Sequence, residues 1–290
     1  MNKLLEMPFK PKVALTFICL LVTWILMQMG YIIVHQLNDV PFVQNGRELA
    51  LAIIRDVAAN HVVMERLFNG FIVYLLIVSV YHSVVQWILH IRLKRYVKDR
   101  FDSILSMNWN HRLNFKKTEI IVIKESTFVA LSFGLLKPRI LISTGAIAQF
   151  NDEEIEAILL HELYHCKSYH PLQMNFLTLI SKGLAFVPVI KDLTHYYAIW
   201  TELLADRYAI NRMSTEVPIG QVLLSLIKSH KNSVIGAGTN FANEAVNYRI
   251  KQIIDPSGDI RLSMTNRKTL IISFVVLIMM SLFLIGRCFN

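Results

Sequence analysis

Three stretches of this chain are too long and too apolar for ordinary soluble helices. Residues 13–34 carry no charged side chain, residues 67–89 carry none beyond the neutral-capable His82, and residues 270–286 are again uncharged. Each meets or approaches the roughly 18–20 apolar residues that take a helix across a bilayer, where all backbone polar groups must be satisfied internally. A fourth run, 172–190, is interrupted by Lys182 and ends near Pro188. These runs hold the excess that lifts the hydrophobic share to 54%, above the roughly 45–50% of a soluble domain. The first run exceeds the 7–15-residue core of a secretory signal, with no small-residue cleavage site after it, so a retained helix is expected.

The net charge of +9 does not point to nucleic acid once its distribution is read. Lys3, Lys10 and Lys12 precede the first run, and Arg92, Lys94, Arg95, Lys98 and Arg100 follow the second. Between the two runs, Arg47, Arg55 and Arg66 are set against Asp39, Glu48, Asp56 and Glu65. Lysine and arginine close to membrane helices accumulate on the cytoplasmic side. The pattern therefore places the N-terminus inside, residues 35–66 outside and residues from His90 onward inside. The second basic cluster is also positioned to meet anionic lipid heads. Direct nucleic-acid binding is not expected. Cys19, Cys166 and Cys288 suggest no disulfide framework, in keeping with a cytoplasmic working domain.

The stretch 99–118 reads as helix then loop. Residues 119–124 (EIIVIK), 128–133 (FVALSF) and 137–143 (KPRILIS) read as three short strands, with Gly134 and Pro138 marking the turn between the last two. Residues 151–168 form a helix with a legible start. Asn151 caps it, Asp152, Glu153 and Glu154 fill the first turn, and Glu154 holds the capping-box position. A second helix is expected over 192–211, with shorter ones near 217–230 and 241–254. A small sheet packed on helices is an α+β arrangement.

Within the capped helix stands His161-Glu162-Leu163-Tyr164-His165, an H-E-x-x-H pattern. Helix positions i and i+4 project from one face, so both imidazoles can bind one zinc ion. Glu162 is then close enough to take a proton from zinc-activated water. Downstream, Glu202 and Asp206 share one face of an otherwise apolar helix. Catalytic zinc of this kind takes two histidines and one glutamate, leaving a fourth position open. That assigns His161, His165 and Glu202 as ligands of one Zn2+ per chain. Asp206 is then placed to fix the tautomer of a ligating histidine. Phe128, Val129, Ala130, Leu131, Ser132 and Phe133 form a candidate edge strand for an extended substrate. For the oxyanion, His170, His195, Tyr196 and Tyr197 all lie near enough in sequence, and nothing in the sequence separates them. Cys166 points off the ligand face and reads as packing.

Over residues 125–255 the chain resembles the membrane gluzincins of the BlaR/MecR antirepressor class, and more distantly the CAAX-type membrane proteases. The resemblance rests on Ala130-Leu131-Ser132-Phe133-Gly134-Leu135-Leu136-Lys137-Pro138-Arg139-Ile140, on residues 154–165, on His170-Pro171-Leu172 and on Glu202 through Asp206, with Arg249-Ile250 a weaker echo. It implies an integral membrane, mainly α protein whose α+β zincin domain sits on the cytoplasmic face of a small helical bundle. It also implies peptide-bond hydrolysis and, as output, relief of gene repression, with a transcriptional repressor as the protein substrate. Only Arg287 to Asn290 follow the last apolar run, so the penicillin-binding domain of antibiotic-sensing relatives, and with it direct beta-lactam binding, is not expected.

Glu202 must meet the same ion as His161 and His165, so residues 172–190 cannot cross the bilayer once and leave it on the far side. The run is expected to be re-entrant or buried against the bundle, which suits Lys182, since a charge at the bilayer centre costs several kcal/mol. The expected organisation has a membrane region 1–91 (helices 13–34 and 67–89, external loop 35–66), a cytoplasmic peptidase domain 92–266 and a C-terminal transmembrane helix 267–290. About three crossings then place the N-terminus and catalytic domain on the cytoplasmic side of a bacterial plasma membrane and the C-terminus outside. Two other functions fit the same residues: a signalling receptor with a non-catalytic zinc site, and a quality-control or peptide-maturation protease.

Overall fold

The computed structural model describes residues 9–38, 61–231, 239–255, 260 and 262–288. Most of the expected external loop, 39–60, lies outside the described residues. In chain order the elements are α1 (Phe9–Asn38), α2 (His61–Arg100), β1 (Phe101–Asp102), α3 (Ser103–Leu113), β2 (Ile120–Ile123), β3 (Ala130–Phe133), β4 (Arg139–Ser143), α4 (Thr144–Gln149), α5 (Asp152–Lys167), α6 (His170–Gly183), α7 (Pro188–Met213), α8 (Val217–Lys231), α9 (Thr239–Ile254) and α10 (Arg267–Cys288). The protein is mainly helical, with one small mixed sheet.

Among the described residues two helical spans are long and apolar enough to cross a membrane, Pro11–Gly30 and Gly70–Arg100. Only 22% and 6% of their apolar windows is buried, which is far too little for core helices of a soluble protein. Phe17, Leu20, Trp24 and Met27 on α1, and Val73, Leu76, Ile77, Val80 and Trp87 on α2, are all exposed. Apolar faces of that extent mark contact with lipid or with partner helices. The third uncharged run falls in α10, which packs against α1 and α7. The helix α2 does not stop with its apolar run. It continues through the basic cluster to Arg100, and its 40 residues span about 60 Å at 1.5 Å per residue.

The sheet has four strands in the order β1-β2-β4-β3, one more than the sequence suggests. The additional β1 pairs Phe101 and Asp102 antiparallel to β2. Two residues at the end of a charged helix carry no alternation to detect. β2 and β4 run parallel, and β3 closes the sheet antiparallel to β4. Side chains alternate strictly. Ile120, Val122, Ile140 and Ile142 join a core with α5, while Ile121, Ile123 and Leu141 join a second with Val97 of α2.

The run 172–190 is not one helix. α6 ends at Gly183, Leu184 to Val187 turn the chain, and α7 begins at Pro188 and packs back along α6. Proline suits that start, where its missing N–H leaves no orphan donor. The hairpin lets α7 return to α5, its most extensive packing partner.

One buried hydroxyl ties β4 to the approach of β3. Ser143, fully buried, accepts from Val129 N–H at 2.9 Å and Ala146 N–H at 3.1 Å, and donates to Thr127 O at 2.7 Å. Ser143→Ala leaves these backbone groups unpaired, which costs about 2 kcal/mol. Thermal unfolding of detergent-solubilised protein should show a loss of roughly 4–8 °C, against no change for the exposed Ser103→Ala.

Candidate metal centre

Helix α5 starts as its sequence dictates. Asn151 Oδ1 accepts from Glu154 N–H at 2.9 Å, and the Glu154 carboxylate accepts from Asn151 N–H at 2.9 Å. This capping box sets the phase of the helix. Ile155, Ile158, Leu159 and Leu163 face the sheet core, and His161 and His165 face α7. Both imidazoles are nearly buried, at 7% exposure each.

The two rings present their Nε2 atoms to one another at 3.1 Å. From α7, Glu202 reaches the same point, with Oε2 3.4 Å from His161 Nε2 and Oε1 3.5 Å from His165 Nε2. One donor atom from each of the three lies within 4.8 Å of the other two. A tetrahedral zinc with bonds of about 2.0–2.1 Å requires ligand–ligand edges of about 3.4 Å. The observed triangle has that size. The residues therefore fit a metal ion with one coordination position open to the cavity.

Asp206, fully buried, lies 2.9 Å from His161 Nδ1 and accepts from its N–H when Nε2 carries the lone pair. His165 Nδ1 lies 2.8 Å from His170 Nδ1. With Nε2 kept as the lone-pair nitrogen, His165 Nδ1–H donates to His170. Each histidine thus has a partner behind it, one a carboxylate and one a second imidazole. His170 Nε2 has no protein partner among the described residues. The role of His170 was one of four open possibilities in the sequence. Of those four, His170 and His195 border the cavity, whereas Tyr196 and Tyr197 do not. Cys166 is buried in the core, as expected.

Arg249, from α9, completes the arrangement. Its Nε donates to Asp206 Oδ2 at 2.7 Å and its Nη2 to Asp206 Oδ1 at 2.7 Å. Nη1 lies 3.3 Å from Glu202 Oε2. This bidentate pair was barely legible in the sequence, where Arg249 lies 43 residues beyond Asp206 on a separate helix.

The electrostatics follow from burial and from these contacts. Burial works against a charged His161, but its hydrogen bonds to Asp206 and Glu202 outweigh it and lift the ring to about 9. Burial dominates at His165, pushed down to about 3, and at His170, pushed down to about 4. Burial opposes ionised Glu202 and Asp206 as well. Neighbouring histidine and Arg249 overcome it, and both carboxyls stay below their usual range. The His161 position thus favours positive charge. Glu162 behaves oppositely: burial raises it to about 7 although it accepts from the Ser132 backbone N–H. A carboxylate near neutrality can both take and return a proton.

These groups open into a cavity of about 610 Å³. Phe128, Ala130, Leu131 and Ser132 line it together with His161, Glu162 and Glu202. β3 is an edge strand and packs against α5. Phe128 and Val129 lie just before its regular part, although Val129 O still accepts from Ser143 N–H at 2.9 Å.

A family model described as BlaR1 peptidase M56 matches residues 9–253. The regulatory protein BlaR1 of Bacillus licheniformis is 29% identical over 111 residues, covering 37% of this chain and 18% of its own length. The methicillin resistance mecR1 protein of Staphylococcus aureus is 30% identical over 165 residues, covering 52% of this chain and 28% of its own length. The matched stretches thus span less than a third of either relative.

Replacing Arg249 with Met would leave Asp206 and Glu202 without their cationic neighbour. Breaking one side of a buried ion pair costs about 3–5 kcal/mol, so Arg249→Met should lower the unfolding midpoint markedly. Arg249→Lys should recover less than half of the loss, because an ammonium cannot reproduce the two-pronged contact. Full recovery with lysine would show that only charge matters here.

Proposed function

The chain belongs to the M56 peptidase family, and on that premise we propose that it is a membrane-bound zinc metalloendopeptidase acting on a protein substrate at the cytoplasmic face. The observation that carries this is the His161, His165 and Glu202 donor triangle with Glu162 beside it in an open cavity. A purely structural zinc site takes four protein ligands and has no use for such a carboxylate.

His161, His165 and Glu202 would hold the metal, one Zn2+ per chain. Zinc supplies a Lewis acid that polarises the scissile carbonyl and acidifies water. Glu162 accepts the proton from the attacking water and returns it to the leaving amine. Asp206 and His170 hold the two imidazoles in the tautomer that points Nε2 at the metal. An extended segment of substrate adds to the Phe128–Val129–Ala130–Leu131–Ser132–Phe133 edge by backbone hydrogen bonds, which lays its peptide bond across the H-E-x-x-H helix. The names of the relatives, a regulatory protein and a resistance protein, favour signal-dependent derepression over general quality control. In that role the substrate is a transcriptional repressor.

The organisation that fits this activity is a membrane region 1–91, a peptidase domain 92–266 and a crossing helix 267–290. Three crossings place the N-terminus inside and the C-terminus outside. The α6–α7 hairpin supports the domain assignment, because it brings Glu202 back to the side of His161 and His165.

Detergent-purified protein should carry about one zinc per chain. His161→Ala and Glu202→Ala should each weaken or abolish it. Glu162→Ala should keep the metal while cleavage falls at least about a hundredfold. Wild-type protein without zinc after chelator-free purification would favour a receptor with a non-catalytic site. Topology has its own test. An alkaline phosphatase fused after Asn290 should be active, and a cytoplasmic reporter active at that position would sink the three-crossing arrangement.

A further inference from the structure

A second cavity, of about 770 Å³, lies away from the metal centre where α2 meets the sheet. His90, Lys94 and Lys98 of α2 line one side. Their spacing of four places them in a single stripe on the helix. The β3–β4 turn supplies Lys137 and Arg139 from the other side. Among the lining residues the one carboxylate is Glu119, and its Oε2 lies 3.3 Å from Arg139 Nε. Lys94, Lys98 and Lys137 thus meet no acidic side chain in the cavity lining. The floor is apolar and closed, made of Val97, Ile121 and Phe133. The rim carries Phe101 at 45% exposure and Leu136 at 79%.

The turn that presents Leu136 and Lys137 requires glycine at its start. Gly134 has φ +94, and a Cβ there would lie 2.6 Å from Lys137 O. The cavity has three lysines around an apolar floor and apolar side chains at its lip.

Its position selects the ligand. The uncharged run of α2 ends at Leu89, one residue before His90, so the cavity opens where that helix leaves the hydrocarbon. We propose that this cavity binds the headgroup of an anionic phospholipid. Lys94, Lys98 and Lys137 hold the phosphate, and Phe101 and Leu136 lie against the glycerol and upper acyl chain. A free anion would gain nothing from that apolar lip. A lipid already lying beside α2 needs no transfer through water. The inference rests on α2 crossing the bilayer and is independent of catalysis.

The test uses the full chain in a neutral detergent. Native mass spectrometry would count bound dioleoyl phosphatidylglycerol and, in parallel, dioleoyl phosphatidylcholine. A basic residue near an anionic lipid surface contributes about fivefold in affinity. Wild type should prefer phosphatidylglycerol by about tenfold or more. The Lys94→Gln/Lys98→Gln/Lys137→Gln protein should lose that preference while zinc content and melting temperature stay unchanged. Arg92→Gln/Arg95→Gln, on the same helix but outside the cavity lining, should keep it. Equal loss in both variants would replace the site with diffuse surface charge and overturn the proposal. Displacement of the lipid by millimolar inorganic phosphate would overturn it in favour of a free anion. Displacement by a micromolar acidic peptide would overturn it in favour of a protein partner.

Discussion

Charge buried at the junction of three helices is the constraint to which the rest of the molecule answers. Asp206 is fully enclosed, Glu202 stands one turn away, and two imidazoles face them. Removing such groups from water costs several kcal/mol each unless opposite charge and hydrogen bonds meet them. Arg249 meets both carboxylates at once, so α9 belongs to the centre as much as α5 and α7 do. The histidines need the carboxylates to stay oriented, and the carboxylates need the guanidinium to stay ionised. No member of the set is tolerable alone, and this ties three helices into one unit.

The sheet serves this centre from the other side. β2 and β4 are buried on both faces and act as a wedge between the α5 core and the foot of α2. β3 is left as an edge beside Glu162. An unpaired edge is normally a liability that proteins cover or charge. Here it borders the cavity lined by His161, His165 and Glu202.

How much of this could be read beforehand depends on how local each signal was. The α5 cap, the i,i+4 histidines and the Glu202–Asp206 pair are short-range patterns, and all appear where spacing places them. The break in the run 172–190 was legible too, because one continuous helix would carry Glu202 away from His161 and His165. By contrast, β1 is two residues long and exists only because β2 is there to pair with it. Arg249 gave little signal, since nothing in a sequence announces which arginine will fold back over an aspartate 43 positions earlier. His170 stood among several candidates, because its neighbour became apparent only once the α5–α6 turn had placed the two rings side by side. Tyr169 makes that turn with φ 54, a left-handed conformation that few residue types would predict.

The helix α7 belongs to two cores at once. Its first half, from Val189 to Leu203, packs with Ala14, Ile18 and Ile25 of α1, while Leu204, Ala205, Tyr208 and Ala209 pack with α5 and the sheet. Glu202 sits at the seam. The helix, 26 residues and about 39 Å long, runs unbroken from one core into the other. A twist of about 20° imposed where α1 grips it would sweep a carboxylate some 6 Å off the axis through about 2 Å. That is more than half of the 3.5 Å edge between Glu202 and His165. Any rotation of α7 about its own axis would therefore move Glu202 relative to His161 and His165.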